Sequence, residues 1–309
     1  MPSRISSLSS NPELTAYAQG TARQNISSVA SFLAPEVPVA TQVGHFKQYD
    51  DKHRFRVPKT RRALRGRAVE LEWNPDDATY NCSPHAIDVP VDKLEALEME
   101  TAMDAIKEGA DDAAEVAGLA HEQTVINKAL AAAGAGTDYN FTSDAVDPVR
   151  LLDDAILHVS KTAKHSNLME IGILFGPTAF LRYKHNKNVK AQKSGGGKTV
   201  SVGLDDVKAL QIGGPESQMS TMLIDTAAEG LDQDIEFLLD EAILIFVRKV
   251  NPTRRDPSFM KTFRLRSGIL KPRVYERDDG RVDVAAFDWS EDVQVTNSLA
   301  IARINAKAA

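Results

Sequence analysis

The spacing of apolar residues changes character several times along the chain, and each change marks an expected element. Residues 1 to about 30 carry scattered apolar positions among Ser, Ala, Asn and Gln. That is too little apolar surface to offset the entropy of ordering the segment, so it reads as an arm, either mobile or ordered by a neighbour. In Ser31-Phe32-Leu33-Ala34-Pro35-Glu36-Val37-Pro38-Val39 two prolines beside β-branched residues predict extended backbone and exclude a helix. Phe46 to about Pro90 reads as long strands with loop punctuation, and Pro58 and Gly66 interrupt any helix there. Asn74-Pro75-Asp76-Asp77 signals a turn after Val69-Glu70-Leu71-Glu72-Trp73, so Thr79-Tyr80-Asn81-Cys82 is expected to pair back as a hairpin. A hairpin of this size has too little apolar surface to make its own core.

From Asp92 to about Ala133 the rhythm becomes helical. Good helix formers dominate, with Leu94, Leu97, Ala102, Ile106, Ala110, Ala113, Val116, Ala120 and Thr124 near helical spacing. Unbroken, such a helix would be roughly 60 Å long. A compact globule of this chain length is only about 50 Å across, which predicts an elongated or flat subunit unless Gly109 and Gly118 break the helix. Gly134-Ala135-Gly136-Thr137-Asp138 reads as a hinge. Beyond it helix and strand alternate: Asp147-Pro148 caps a helix running to about Lys164, with Leu151, Leu152, Ala155, Ile156 and Val159 on one face. Leu168 to Phe175 is a buried strand, Gly176-Pro177-Thr178 starts another helix, and Ile235–Leu239 and Ala242–Val247 are strand-like apolar runs. After a boundary at Asn251–Pro257, the tail reads as strands at Thr262–Leu265, Arg273–Tyr275, Val282–Phe287 and Leu299–Ile304, with a turn at Asp278-Asp279-Gly280. No internal repeat is found.

Composition narrows the class. With 309 residues, 42% hydrophobic and 26% charged, the chain is a folded protein large enough for a sizeable core. No apolar run reaches membrane-spanning length, and the N-terminus lacks the apolar stretch of a secretion signal. A single cysteine, Cys82, excludes an internal disulfide and makes a thiolate zinc site untenable. The net charge of −6 argues against a dedicated DNA-binding protein, but that charge is strongly segregated. Lys52, His53, Arg54, Arg56, Lys59, Arg61, Arg62, Arg65 and Arg67 form a basic run without an acid. Asp92, Glu95, Glu98, Glu100, Asp104, Glu108, Asp111, Asp112, Glu115 and Glu122 then face only Lys93 and Lys107.

Motifs for catalysis fall short. Gly195-Gly196-Gly197-Lys198-Thr199 resembles the end of a phosphate-binding loop, but Gln192 stands where that loop needs its first glycine. The preceding Lys184–Lys193 is polar and not a buried strand, so a surface loop is expected. His45, His53, His85, His121, His158, His165 and His185 show no paired metal spacing. There is no GxSxG, and Cys82 has only His85 near it in sequence, which is weak ground for a nucleophile and base. No cofactor and no enzymatic activity are expected.

The order of segments resembles the major capsid protein of tailed phages, the Hong Kong 97-like family. The resemblance rests on Phe32-Leu33-Ala34-Pro35-Glu36-Val37-Pro38-Val39, Gly44-His45-Phe46-Lys47-Gln48-Tyr49, His53-Arg54-Phe55-Arg56, and Arg61-Arg62 before Gly66-Arg67-Ala68. It continues through Tyr80, Cys82, His85 and Val89-Pro90-Val91 to Leu238-Leu239, Ala242–Val247, Pro252, Pro257 and Thr262-Phe263. It implies an α+β fold with an N-terminal arm (residues 1–45), an extended E-loop (46–90) and the spine helix of a peripheral domain (91–136). An axial domain (137–257) and a C-terminal β segment returning to the peripheral sheet (258–309) would complete it.

By the same resemblance the chain would build hexamers and pentamers of an icosahedral head around double-stranded DNA. It would assemble in the host cytoplasm and reside in the virion. Its partners would be copies of itself, a portal, a possible decoration protein and, since no coiled-coil segment precedes residue 30, a separate scaffolding protein, the alternative being a scaffolding domain already removed. An encapsulin-like nanocompartment shell is the alternative within the fold; a nucleotide-binding enzyme using Gly195–Thr199 is the alternative outside it. The charge segregation then suggests an intersubunit contact, with Arg54, Arg56, Lys59, Arg61, Arg62, Arg65 and Arg67 of one subunit over Glu95, Glu98, Asp104, Glu108, Asp111 and Asp112 of a neighbour. A solvated loop, or arginines facing genome phosphate, are the competing readings of the basic run.

Overall fold

The structure is a computed structural model and describes residues 28–48, 60–62, 66–67, 76–92, 102–194, 200–227, 232–266, 271–277 and 280–308. Helix α1 (Ser28–Leu33) precedes strand β1 (Glu36–Val39), so Ser31–Leu33 are helical where extended backbone was expected. The prolines act only from the residue before each of them. The helix therefore runs to Leu33 and stops before Pro35. Strands β2 (Val43–Gln48) and β3 (Asp76–Asn81) pair with each other as a two-stranded ribbon, and β4 (Ser83–Asp92) follows. Asp76 and Asp77 are thus strand residues, and the return strand Thr79–Asn81 belongs to the pairing with β2. Val69–Trp73, its expected partner, lies outside the described residues.

Helix α2 (Ala102–Ala133) spans 32 residues without interruption, about 48 Å at the usual rise. Gly109 and Gly118 do not break it. A Cβ on Gly109 would come within 3.0 Å of Val91 and 3.4 Å of Val89, so the missing side chain lets the helix lie close to a strand. The buried side of α2 runs through Ala110, Ala113, Ala114, Ala117, His121 and Val125, while Val116, Ala120 and Thr124 are exposed. The expected face was correct at Ala110 and Ala113 and drifted off it afterwards. Alanine on every side of the helix leaves the sequence little to distinguish an inner face from an outer one.

The remaining elements are β5 (Thr137–Asn140), α3 (Pro148–Thr162), a single 3₁₀ turn at Leu168–Glu170, β6 (Ile171–Phe175), α4 (Pro177–His185), α5 (Lys187–Ser194) and α6 (Leu204–Leu210). They continue with β7 (Glu216–Met219), β8 (Leu223–Asp225), β9 (Ile235–Phe237), β10 (Ala242–Val247), β11 (Met260–Leu265), β12 (Lys271–Arg277), β13 (Val282–Val295) and β14 (Ile301–Lys307). Asp147 caps α3, its carboxylate accepting from the backbone N–H groups of Val149 and Arg150, with Pro148 at the first helical position.

The chain divides into two compact units. The first comprises residues 1–44, 80–128 and 262–294. Its sheet has the order β1-β11-β13-β12, with β4 also paired to β13. β4 and β13 run antiparallel from Val282 opposite Asp92 to Glu291 opposite Ser83. The small inner side of α2 packs here on Phe287 and Trp289, with Ile87 and Val89 beside them. Tyr80 stacks on Phe263 with ring centroids 4.6 Å apart. A Cβ on Gly44 would sit 2.3 Å from the Tyr80 hydroxyl, so this close approach requires glycine.

The second unit comprises residues 45–79, 129–261 and 295–309. Its five-stranded sheet has the order β5-β14-β10-β6-β7. β10 is antiparallel to both β6 and β14, and every residue of β6 and β10 is buried. Strands buried on both faces read as continuous apolar runs, as IGILF and AILIFV do. Helix α3 packs on β10 through a face that includes Leu152, Ile156 and Val159, and α4 packs on β14. The last strand corrects an expectation: β14 pairs with β10 and β5 in this sheet, whereas the tail from Ser258 was expected to return wholly to the peripheral sheet. Strand pairing is a long-range choice, and the alternation of IARINAK suits either sheet.

Candidate intersubunit surfaces

The expected contact residues fall partly within the described chain. Arg61, Arg62 and Arg67 lie outside regular secondary structure and are exposed. Arg54, Arg56, Lys59 and Arg65 lie outside the described residues, as do Glu95 and Glu98. On α2, Glu108 and Asp112 are exposed one turn apart and Asp111 is partly buried; Asp104 is on the helix, but its side chain is outside the description. Glu115 extends the same exposed acidic side, opposite the alanines that meet the sheet. The helix therefore has an apolar inner side that packs on the sheet and an exposed acidic outer side.

Sequence reasoning missed a charged cluster inside the first unit. Glu291 on β13 is 6% exposed and accepts from Arg264 of β11, Nη2 to Oε2 at 2.7 Å. Its other oxygen lies 2.8 Å from Nδ1 of His121 on α2. Arg264 also pairs with Glu36 on β1. Burial alone would raise the Glu291 carboxyl pKa, but the hydrogen bond and charge of His121 and the guanidinium of Arg264 outweigh it and hold the value at about 2. Charges this deep are tolerated only when paired, so the cluster ties together α2 and three strands. No local motif marks it, because Glu291 is 170 residues from His121 and 27 from Arg264.

A second buried pair anchors the boundary at Asn251–Pro257 in the other unit. Asp256 accepts from the backbone N–H groups of Thr253 and Ser258. Lys261, fully buried, donates to the Asp256 backbone oxygen at 2.7 Å and lies 3.1 Å from its carboxylate. The expected punctuation is therefore a pinned loop.

The chemistry considered in the sequence can now be placed. The Cys82 thiol is buried, points at the Phe263 carbonyl at 3.5 Å, and is pushed up to about 11, chiefly by burial. A thiol so shifted is protonated at neutral pH and is not an activated nucleophile. His85 stacks on Trp289, centroids 5.2 Å apart. Helix α5 runs into the Gly195–Thr199 segment, which itself lies outside the described residues. Among the described residues no group of three or more His, Cys, Asp or Glu is placed to hold a metal ion, and no helix is long and apolar enough to cross a membrane.

No protein-family model matches the chain, and no curated protein matches it in sequence. Solved structures do match, across nearly the whole chain. A phage-related protein from Bordetella bronchiseptica RB50 superposes with a TM-score of 0.70 at 17% identity, covering 96% of this chain and 97% of that one. The capsid protein of cyanophage P-SCSP1u gives 0.56 at 14% identity, over 92% and 89% of the two chains. An encapsulin from Synechococcus elongatus PCC 7942 gives 0.53 at 16%, over 91% and 88%. The chain thus has the fold of shell-forming subunits. Within that class it is the α+β, Hong Kong 97-like fold of phage capsid proteins that the order of sequence segments implied.

Proposed function

We propose that this chain is the major capsid protein of a tailed phage, assembling into hexamers and pentamers of an icosahedral head that encloses double-stranded DNA. The observation that carries the reading is the likeness over 96% of the chain to a phage-related protein of almost equal length, at a TM-score well above that of the encapsulin. The Hong Kong 97-like order of motifs in the sequence is independent support. The partners of such a subunit are its own copies, a portal, a separate scaffolding protein, a possible decoration protein and the packaged DNA.

The segregated charge has a place in this reading. The basic segment from Arg54 to Arg67 of one subunit lies over the acidic outer side of α2 in a neighbour, with exposed Arg61, Arg62 and Arg67 facing Glu108, Asp111 and Asp112. Each exposed pair contributes only about 0–1 kcal/mol, so the contact works through register and encounter rate, repeated over many subunits.

Electron microscopy of negatively stained protein, expressed alone and with its neighbouring genes, tests the proposal. Closed shells or capsomer rings are the expected result, and nuclease-protected DNA in particles from phage-producing cells separates a head from a cargo-enclosing compartment. A dispersed monomer under both conditions overturns it. Arg61→Glu with Arg62→Glu tests the contact: a folded subunit that no longer closes shells is expected, and normal shells would remove the charge contact while leaving the capsid reading intact.

A further inference from the structure

The pinned loop at Asn251–Pro257 displays charge that its own anchoring does not use. From Ala242 to Arg255 the chain contains Arg248, Lys249, Arg254 and Arg255 and no acid. Arg248 pairs with Glu216 and so serves the fold, while Lys249, Arg254 and Arg255 are exposed. The backbone that carries them is held from several sides. Phe259 N–H donates to the Val247 carbonyl at 2.9 Å and closes the loop at its base. Arg255 N–H donates to the Thr253 hydroxyl at 3.3 Å, and the buried Asp256–Lys261 pair holds the loop from inside. Breaking such a pair is costly, so the loop keeps one conformation.

The β2–β3 ribbon brings further positive charge to the same place within the second unit. Lys47 N–H donates to the Arg254 carbonyl at 3.1 Å. Along β2, His45 and Lys47 lie on the side opposite the buried Phe46. Lys47 Nζ lies 2.6 Å from the exposed carboxylate of Asp77 on β3. The hydrogen bond from Lys47 lowers the Asp77 pKa, and the charges of Lys47, His45 and Arg255 lower it further. One exposed carboxylate thus sits among three basic side chains, with Arg254 and Lys249 on the same loop as the third. The loop's own carboxylate, Asp256, is buried against Lys261.

A rigid surface of this kind suits a polyanion. Adjacent arginines present planar forks that fit phosphate oxygens, and a preorganised loop holds them without an ordering cost at binding. A DNA duplex offers a phosphate charge about every 1.7 Å along its axis, so several cations on one surface are matched at once. The net charge of −6 does not oppose this, because the field of a local patch governs the contact. We propose that Lys249, Arg254 and Arg255, with His45 and Lys47 beside them, bind the phosphate backbone of duplex DNA without regard to sequence. This contact rests on the head reading, which supplies the enclosed duplex as the polyanion. It is separate from the basic run Arg54–Arg67.

Fluorescence anisotropy of a labelled mixed-sequence DNA duplex, titrated with the soluble full-length chain over a salt series, tests the contact. Each phosphate neutralised contributes about 0.9 to the slope of log affinity against log salt. Arg254→Ala with Arg255→Ala should reduce that slope by about 1.8 and weaken binding on the order of tenfold or more at about 0.1 M salt. The thermal midpoint should move little, since both side chains are exposed. Arg254→Lys with Arg255→Lys keeps the charges and should keep the slope. An unchanged slope in the alanine variant overturns the contact, as does an equal loss from Lys184→Ala with Lys190→Ala on α4 and α5. Duplex binding that survives in an alanine variant unable to close shells would give the surface to an acidic protein neighbour, and also overturns it. In each case closed shells from the unaltered chain leave the capsid reading intact. The expected slope change in a chain that never forms shells keeps this surface and removes the head reading.

Discussion

The two five-stranded sheets bury comparable strands by different means. In the second unit the central strands β6 and β10 are apolar throughout, and large buried side chains fill the core, Phe175 against Phe180 and Tyr183 of α4 and Phe246 against Phe259. In the first unit a long helix approaches the sheet through Ala110, Ala113, Ala114 and Ala117, and a buried Arg264–Glu291–His121 cluster stands where an apolar core would serve. The first arrangement is tolerant of shape and rich in transfer free energy. The second gives less apolar burial per residue but fixes which residue of α2 meets which residue of β13, since a shift along the helix would strand buried charges.

The contrast predicts different failures. Phe246→Ala empties a fully buried site and should cost about 3–5 kcal/mol, read from the shift in denaturant midpoint. Arg264→Met should cost a similar ~3–5 kcal/mol for the opposite reason, because it leaves the Glu291 carboxylate buried beside a lost partner. Adding Glu291→Met to Arg264→Met should recover part of that loss, whereas no second substitution at a charged residue should help Phe246→Ala. A double variant as unstable as Arg264→Met would show that packing, and not charge, governs that position.

Acid should loosen the charged cluster of the first unit next. The Glu291 pKa of about 2 lies below the reference value of 4.5, so the ionised form favours the folded state. Its contribution, on the order of 3 kcal/mol, is fully present above pH 4.5 and is lost as pH falls from 4.5 towards 2. Glu291→Gln should flatten that part of the stability profile, measured by denaturation at a series of pH values; an unchanged slope would contradict the assignment. Ala113→Leu, which forces volume between α2 and the Phe287–Trp289 layer, should cost ~1–3 kcal/mol. The smallest effect belongs to Asp147→Ala, which removes the α3 cap and should cost about 1 kcal/mol. Both are read as shifts in thermal midpoint.

What the sequence made legible follows the same division. IGILF, AILIFV and the Asp147-Pro148 cap are local signals: β10 and helix α3 stand where they were expected, and β6 does so from Ile171, the preceding Leu168–Glu170 being a 3₁₀ turn where strand was expected. The end of α2 at Ala133 was legible from helix formers, but its expected start at Asp92 is the last residue of β4, and its inner face was not legible, since alanine carries no preference strong enough to fix the phase. The Glu291 cluster was invisible because its members look like surface residues and meet only through strand pairing. The destination of β14 was hidden for a related reason, as alternation predicts a strand and not its neighbour. Of the candidate contact, the charge segregation was plain, and the outward placement of Glu108, Asp112, Arg61, Arg62 and Arg67 agrees with a surface role.

Sedimentation velocity of the purified full-length chain, across a concentration series at low and high salt, tests the central claim most directly. Assembly into large closed particles or discrete rings, weakened by salt, is the predicted result. A single species of monomer size at every concentration and salt, also in the presence of the products of its neighbouring genes, would contradict it.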